Sequence, residues 1–309
     1  MYIEKGTYGC VIKPSIPCEK YHKDSVSKIF HNEEFYKEES VIMDIMKQID
    51  PKGKHILKKI DECKVKTIEK KDRKSCKYSK AEFPKYQIVY EYGGIDLSKF
   101  SEKDFDVKSI LPGIYNLTSG LVLLEKHRMC HRDIKETNIL CKNNMFYFID
   151  MGLALSYDRV YDKEQDYILR YNYCYYPPEF KIYYNIKHSY NNLSSIDNIE
   201  QFIQRDVKLN YVKSGIVYDT NLIDNAITSI MKKFNNIDML KLIMINNANK
   251  IDVFGLGMVL MNLLLKSNNK HIEKKMSLLK ILDRCVELNP YKRISPKELN
   301  KSIKELSYM

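Results

Sequence analysis

Two short stretches of the chain bring together residue types that, at their spacing, can move a phosphoryl group. HRDIKETNIL (131–140) supplies Asp133, Lys135 and Asn138, and FIDMG (148–152) supplies Asp150. In-line transfer from a nucleoside triphosphate needs a carboxylate to orient the attacking hydroxyl and a cation beside the moving group. It also needs a carboxamide and a second carboxylate to hold a divalent metal. Asp133 fits the first role, Lys135 the second, and Asn138 with Asp150 the metal pair. Each triplet alone is chance; the ordered pair at this spacing is specific.

Both stretches need support from their flanks. Upstream, IYNLTSGLVLLEKHRM puts Ile114, Leu117, Leu121 and Leu124 on one helical stripe. Downstream, an Asn143-Asn144 turn joins Ile139-Leu140 to the strand-like MFYFI that delivers Asp150. A helix therefore backs the first loop, and a hairpin carries the second one beside it.

Length and composition set the bounds. With 309 residues there is room for one large domain or two lobes. No apolar run reaches the ~18–20 residues of a membrane span, and MYIEKGTYG offers no apolar signal core. Eight cysteines (10, 18, 63, 76, 130, 141, 174, 285) include no C-x-x-C pair. That reads as free thiols in a reducing, intracellular compartment rather than a disulfide framework or a zinc site. The net charge of +11 is concentrated, because twelve Lys/Arg face four Asp/Glu between Lys52 and Lys80. A solvated basic loop is the plainer account; a surface for nucleic acid, anionic lipid or an acidic partner is the other. The heavy use of Lys, Asn, Ile and Tyr matches an AT-rich coding genome, such as that of a large DNA virus or a protist.

The rest of the chain places further elements around the two loops. Residues 1–13 read as two short strands around GTYG, whose Gly6 and Gly9 let the backbone approach a phosphate and donate amides to it. In SVSKIF (25–30), Val26 and Ile29 bracket Lys28 in a strand. His31 to Asp50 is helical and stops at Asp50-Pro51. ILKKID (56–61) and YQIVYEYGG (86–94) are strand-like and flank the basic segment. LIDNAITSIMKKF (222–234) and NIDMLKLIMI (236–245) read as two helices, and IDVFGLGMVLMNLLL (251–265) is apolar nearly all round, as a buried helix is.

In this order the landmarks resemble the eukaryotic protein kinases, in the serine/threonine branch and in the compact form found in large DNA viruses. The resemblance implies an α+β, bilobal fold. Residues 1–93 would form a small N-lobe of antiparallel sheet plus one helix, with a basic insert at about 61–82. Residues 94–309 would form a larger, mainly helical C-lobe with a long helical insert at about 181–248. ATP and Mg2+ are the implied cofactors, and Ser/Thr hydroxyls of proteins the acceptors, since Lys135 two places after Asp133 marks that branch. The implied setting is cytoplasmic, or the host cytoplasm or virion for a viral enzyme.

The same resemblance assigns roles by position. Lys28 meets the α- and β-phosphates and pairs with a helix glutamate. Glu38 is the choice because Ile42, Ile45 and Ile49 follow it along one face, with Glu34 and Glu39 left open. Val11 covers the base, Tyr90 backs the adenine pocket, and Glu91, Tyr92 and Gly93 offer backbone groups to the adenine edge. Gly93-Gly94 is the flexible joint between lobes, and Asp96 reaches the ribose. His131 is a core histidine, Asp252 accepts from the backbone of the catalytic loop, and Glu179 of YYPPEF pairs with Arg293. Two positions depart from the family pattern: Glu4 stands for the first loop glycine and Met151 for a Phe. They motivate a pseudokinase scaffold as the alternative, and the 52–80 stretch motivates a nucleic-acid-binding module. Residues 152–179 hold no Thr, and Glu164 or Asp166 is expected to pair with Arg132 in place of a phosphate. The insert is expected to take over part of substrate docking.

Overall fold

Strands near the N-terminus alternate apolar and small residues tightly enough to be covered on both faces. In β3 (Ser25–Phe30) every residue but Lys28 is buried. The computed structural model describes residues 2–5, 9–30, 32–66, 76, 86–100, 106–161, 174–189, 220–232, 237–267 and 270–308. β1 (Tyr2–Lys5), β2 (Gly9–Ile12), β3, β4 (Lys59–Lys64) and β5 (Tyr86–Glu91) form an antiparallel sheet of order β1-β2-β3-β5-β4.

One helix, α1 (Glu33–Ile49), lies on this sheet. Asn32 caps its start by accepting from the Glu34 N–H, and Asp50 stops it. The Asp50 carboxylate then gathers the backbone N–H groups of Lys54, His55 and Ile56, which turns the chain toward β4. The buried face of α1 carries Glu39, Ser40, Met43, Met46 and Ile49, whereas Ile45 is exposed. The helix is thus rotated by about one residue from the phase that its isoleucines imply. Methionine, unbranched and pliable, fills the gap against the sheet.

Below the hinge, β6 (Ile95–Asp96), β8 (Ile139–Lys142) and β9 (Met145–Phe148) form a small sheet of order β6-β8-β9. Asn143 and Asn144, both with positive φ, make the tight β8–β9 turn. A two-stranded piece pairs β7 (Met129–Cys130) with β10 (Leu155–Ser156). Helix α2 (Val107–Lys126) buries the predicted stripe of Ile114, Leu117, Leu121 and Leu124. The remaining helices are α3 (Pro178–Ser189), α4 (Thr220–Lys232), α5 (Ile237–Asn246), α6 (Ile251–Lys266), α7 (Ile272–Cys285) and α8 (Pro296–Tyr308). The whole is α+β, with a small sheet-based lobe and a helical one.

Helix α6 is the axis of the large lobe, buried at every position from Ile251 to Leu260. Val107–Lys126 and Ala248–Lys266 reach the length and apolarity of membrane spans, contrary to the reading of the sequence. Their windows are 61% and 72% buried inside the protein, and that burial accounts for the composition. Helices α4 and α5 cover the two apolar stretches at 222–234 and 236–245. They are no appendage: Ile227, Ile230, Leu240 and Met244 share one apolar cluster with Phe180, Phe254 and Met258.

The cysteines overturn one expectation. Cys10 is bonded to Cys76, and Cys18 to Cys63. The partners stand 66 and 45 residues apart, so close sequence spacing, the usual sign, is missing; each bond ties a strand residue, Cys10 or Cys63, to one outside the sheet. Cys10 and Cys76 lie in a small apolar cluster with Ile12, Ile29 and Val65. The free-thiol argument for a reducing compartment therefore no longer holds for these four. Cys130, Cys141, Cys174 and Cys285 are free. Gly6, most of the 52–80 basic stretch beyond Lys66, and Asp162, Glu164 and Asp166 lie outside the described residues.

Candidate active site

A cleft of about 560 Å³ runs between the lobes and is lined by Gly9, Val11, Lys28, Asp133, Lys135, Asn138 and Asp150, among others. Residues far apart in sequence thus meet on one surface. Several elements deliver them. Val11 is on β2, Lys28 on β3 and Glu39 on α1. Asp133, Lys135 and Asn138 sit in the loop between β7 and β8, and Asp150 follows β9.

Lys28 is the joint of the site. Its Nζ donates to Glu39 Oε2 at 2.5 Å and to Asp150 Oδ1 at 2.9 Å. The helix partner is therefore Glu39, and the choice of Glu38 is corrected. With α1 turned so that Met43 and Met46 face inward, Glu39 points at β3 while Glu38 lies on the exposed side. Burial by itself pushes the Lys28 ammonium toward neutrality. The Asp150 and Glu39 carboxylates outweigh it and hold the lysine pKa above its usual value. Asp150 is also desolvated, yet Lys28 and then Lys135 keep its carboxyl below the usual range. For the deeper Glu39 burial wins and pushes the carboxyl up, against Lys28.

The loop below is built around Asp133. Its Oδ2 accepts from Lys135 Nζ at 2.8 Å and from Asn138 Nδ2 at 2.7 Å. Asn138 Nδ2 also donates to the Asp133 carbonyl at 2.8 Å. With its amide nitrogen spent twice, Asn138 offers its oxygen to a cation. Asp150, with φ +60, turns its carboxylate toward the same cleft. Hard oxygen donors of this kind suit Mg2+, which keeps several waters of its own. The backbone beneath is fixed by the buried Asp252, which accepts from the His131 N–H at 2.6 Å and the Arg132 N–H at 2.9 Å. His131, fully buried, spans from the Asp133 N–H to the Ile149 carbonyl, so it ties the two loops and carries no proton for chemistry. Arg132 is 2% exposed, and its Nε and Nη1 have no hydrogen-bond partner among the described residues.

At the hinge the structure sharpens and corrects the expectations. Tyr92 lines the cleft, but its N–H donates to the Asp24 carbonyl and its carbonyl accepts from Lys142 Nζ. Those two backbone groups are taken, and the Glu91 N–H likewise donates to the Lys58 carbonyl, whereas Gly93 lines the cleft. Gly93-Gly94 is a close packing point and not a loose joint. A Cβ on Gly94, at φ +93, would lie 1.8 Å from the Cys141 oxygen, and one on Gly93 would lie 2.6 Å from Leu140 Cδ1. Gly9 likewise is required by its neighbour strand, since a Cβ would sit 2.3 Å from the Ile29 oxygen. Asp96 lines the cleft and is 3% exposed, with its carboxylate engaged by the Ser98 N–H and hydroxyl and by Lys99 Nζ. Its first task is to cap the short turn at Leu97–Lys99.

Sequence reasoning missed Lys13, Asp24 and Lys142, and gave Tyr90 no contact to the helix glutamate. Lys13 sits 3.0 Å from the Tyr92 ring centroid and ion-pairs with Asp24. Lys142 reaches the same Asp24 from the other lobe. The Tyr90 hydroxyl donates to Glu39 Oε1 at 2.7 Å. None of these belongs to a motif with fixed spacing, so no sequence signal marked them.

The family model for protein tyrosine and serine/threonine kinases matches residues 4–191, more than half of the chain. The chain belongs to this family. Cell division control protein 2 homolog 3 of Trypanosoma brucei brucei is 36% identical over 77 residues, 24% of this chain and 25% of the relative. Dual specificity protein kinase zak2 of Dictyostelium discoideum is 35% identical over 91 residues, 29% of this chain and 13% of the relative. The alignments thus cover a quarter or less of either relative. In this kinase-family chain the matched region holds every cleft residue named above, and α4 to α8 follow it.

Proposed function

We propose that the chain is a protein-serine/threonine kinase that moves the γ-phosphoryl group of ATP to protein hydroxyls. The observation that carries this reading is Lys28 bonded at once to Glu39 and Asp150, which joins both lobes across a cleft also lined by Asp133. Lys28 would hold the α- and β-phosphates. Asp133 would orient the acceptor hydroxyl and take its proton, and Lys135, already at its carboxylate, would follow the moving phosphoryl. Magnesium held by Asn138 and Asp150 would neutralise phosphate charge. Val11 and Leu140 line the cleft with apolar surface for the base, and Gly93 beside them, with the Glu91 carbonyl, would supply its edge contacts. Every group the transfer needs is present, which favours an enzyme over a pseudokinase scaffold.

Lys135 supports Ser/Thr acceptors over Tyr. One relative is named as a dual-specificity kinase, so the acceptor panel should hold all three hydroxyls. Purified full-length protein is incubated with radiolabelled ATP, Mg2+ and a basic protein substrate, beside Asp133→Asn. Label on Ser and Thr with the wild type, and none with the variant, is expected. Equal labelling by both proteins, or none by either, overturns the reading.

A further inference from the structure

Resting on that reading, we propose that Tyr90 and Lys59 are positioning residues that hold α1 in place, so that the Lys28–Glu39 pair is assembled by the chain itself without an activating partner. Neither residue belongs to the motif set that marks the family, and each grips the helix from a different strand.

The first grip is at the catalytic pair. A carboxylate tethered to one flexible lysine can swing about that contact. Here both oxygens of Glu39 are fixed, Oε2 by Lys28 from β3 at 2.5 Å and Oε1 by the Tyr90 hydroxyl from β5 at 2.7 Å. Tyr90 is 9% exposed and Glu39 4%, so both bonds lie in a low-dielectric setting.

The second grip lies on the next turn. Lys59 rises from β4 with its side chain 8% exposed, and its Nζ meets Asp44 Oδ1 at 2.7 Å. The same ammonium donates to Ser40 Oγ at 3.2 Å and to Glu62 Oε1 at 3.2 Å. Ser40 Oγ in turn donates to Glu62 Oε2 at 2.5 Å. A buried ammonium survives only with such a set of acceptors. Ser40 and Asp44 stand one helical turn apart, so this set fastens the helix along its length and against rotation. The competing account is a partner protein seated on the outer face of α1, where Val41 is 60% and Ile45 37% exposed. The two fastenings make such a partner unnecessary.

The test compares wild type, Tyr90→Phe, Lys59→Met and Lys59→Arg as full chains. Hydrogen exchange of amides in residues 33–49 is read beside kcat and the KM for ATP. Tyr90→Phe keeps the ring and removes only the hydroxyl, so it folds even if Lys59→Met does not. Exchange about tenfold faster in α1, with α2 and α6 unchanged, is expected for Tyr90→Phe and Lys59→Met. A several-fold fall in kcat is expected with it, with Lys59→Arg close to wild type. Unchanged α1 exchange in both Tyr90→Phe and Lys59→Met overturns the proposal, as does wild-type activity in both. Because exchange is read without turnover, an inactive wild type would sink the kinase reading and leave this inference to be judged by exchange alone.

Discussion

Two buried ion pairs of opposite purpose frame this molecule. Arg293 and Glu179 are closed off completely, with side-chain exposures of 0% and 1% and two N–H to oxygen bonds of 2.6 and 3.1 Å. The guanidinium also donates to the Glu287 carbonyl and lies over the Phe254 ring, so its donors are spent on the protein. Lys28 and Glu39 keep 14% and 5% exposure, and Lys28 has Asp150 as a second acceptor at the edge of the cleft. The first pair is saturated and only holds helix α3 to the chain before α8. The second leaves one side turned toward the cleft. Same chemistry, different closure: a pair with no access to the cleft is scaffold, and a pair on its wall is equipment.

Four changes press on that contrast. Lys28→Met should lower phosphoryl transfer by about 100- to 1,000-fold, while thermal melting stays closer to wild type than that of Arg293→Met, because Asp150 is 28% exposed and burial already pushes the Glu39 carboxyl toward its neutral form. Arg293→Met strips the partner from a carboxylate that no water reaches, at a cost of about 3–5 kcal/mol by urea unfolding. Unfolding midpoints in the reverse order would undo the contrast. Cys76→Ser opens the link to Cys10, and the small lobe should lose about 2–4 kcal/mol. Full resistance of wild-type melting to a strong reductant would contradict this. The smallest effect belongs to Asp24→Asn, whose side chain is 53% exposed. The KM for ATP should change by less than about twofold and melting not at all.

Titration sharpens the same contrast. Lys28 has a raised pKa, so its contribution is complete below the ordinary lysine value of 10.5 and is lost only as pH rises beyond it. The stability difference between wild type and Lys28→Met should therefore be flat from about pH 8 to about pH 10. A difference that collapses within that window would show that the lysine is not held by two carboxylates.

Much of this was legible beforehand because it rests on fixed spacing. The Glu179–Arg293 and Asp252–loop contacts came with the family resemblance, the β8–β9 hairpin with its Asn143-Asn144 turn, and the helices at 222–245 with their apolar residues. Reading failed where rotation or distance decided. Glu38 and Glu39 differ by one helical step, and the isoleucines at 42 and 45 pulled the phase the wrong way; the methionines at 43 and 46 are the residues buried. Disulfides that tie a strand to a distant loop residue, as Cys10–Cys76 and Cys63–Cys18 do, leave no trace in linear spacing. The Tyr92 backbone is already engaged, because a loop residue, Asp24, and a lysine of the other lobe, Lys142, reach it. No periodicity announces either.

Gly94 carries a consequence for anyone altering this protein. With a carbonyl oxygen standing 1.8 Å from where the first side-chain atom would be, and with φ at +93, even alanine has nowhere to go. A saturation library at this codon should return one amino acid only. Efforts to retune nucleotide choice from the crossing between lobes must therefore spend their diversity at 91 and 92 and leave 94 untouched.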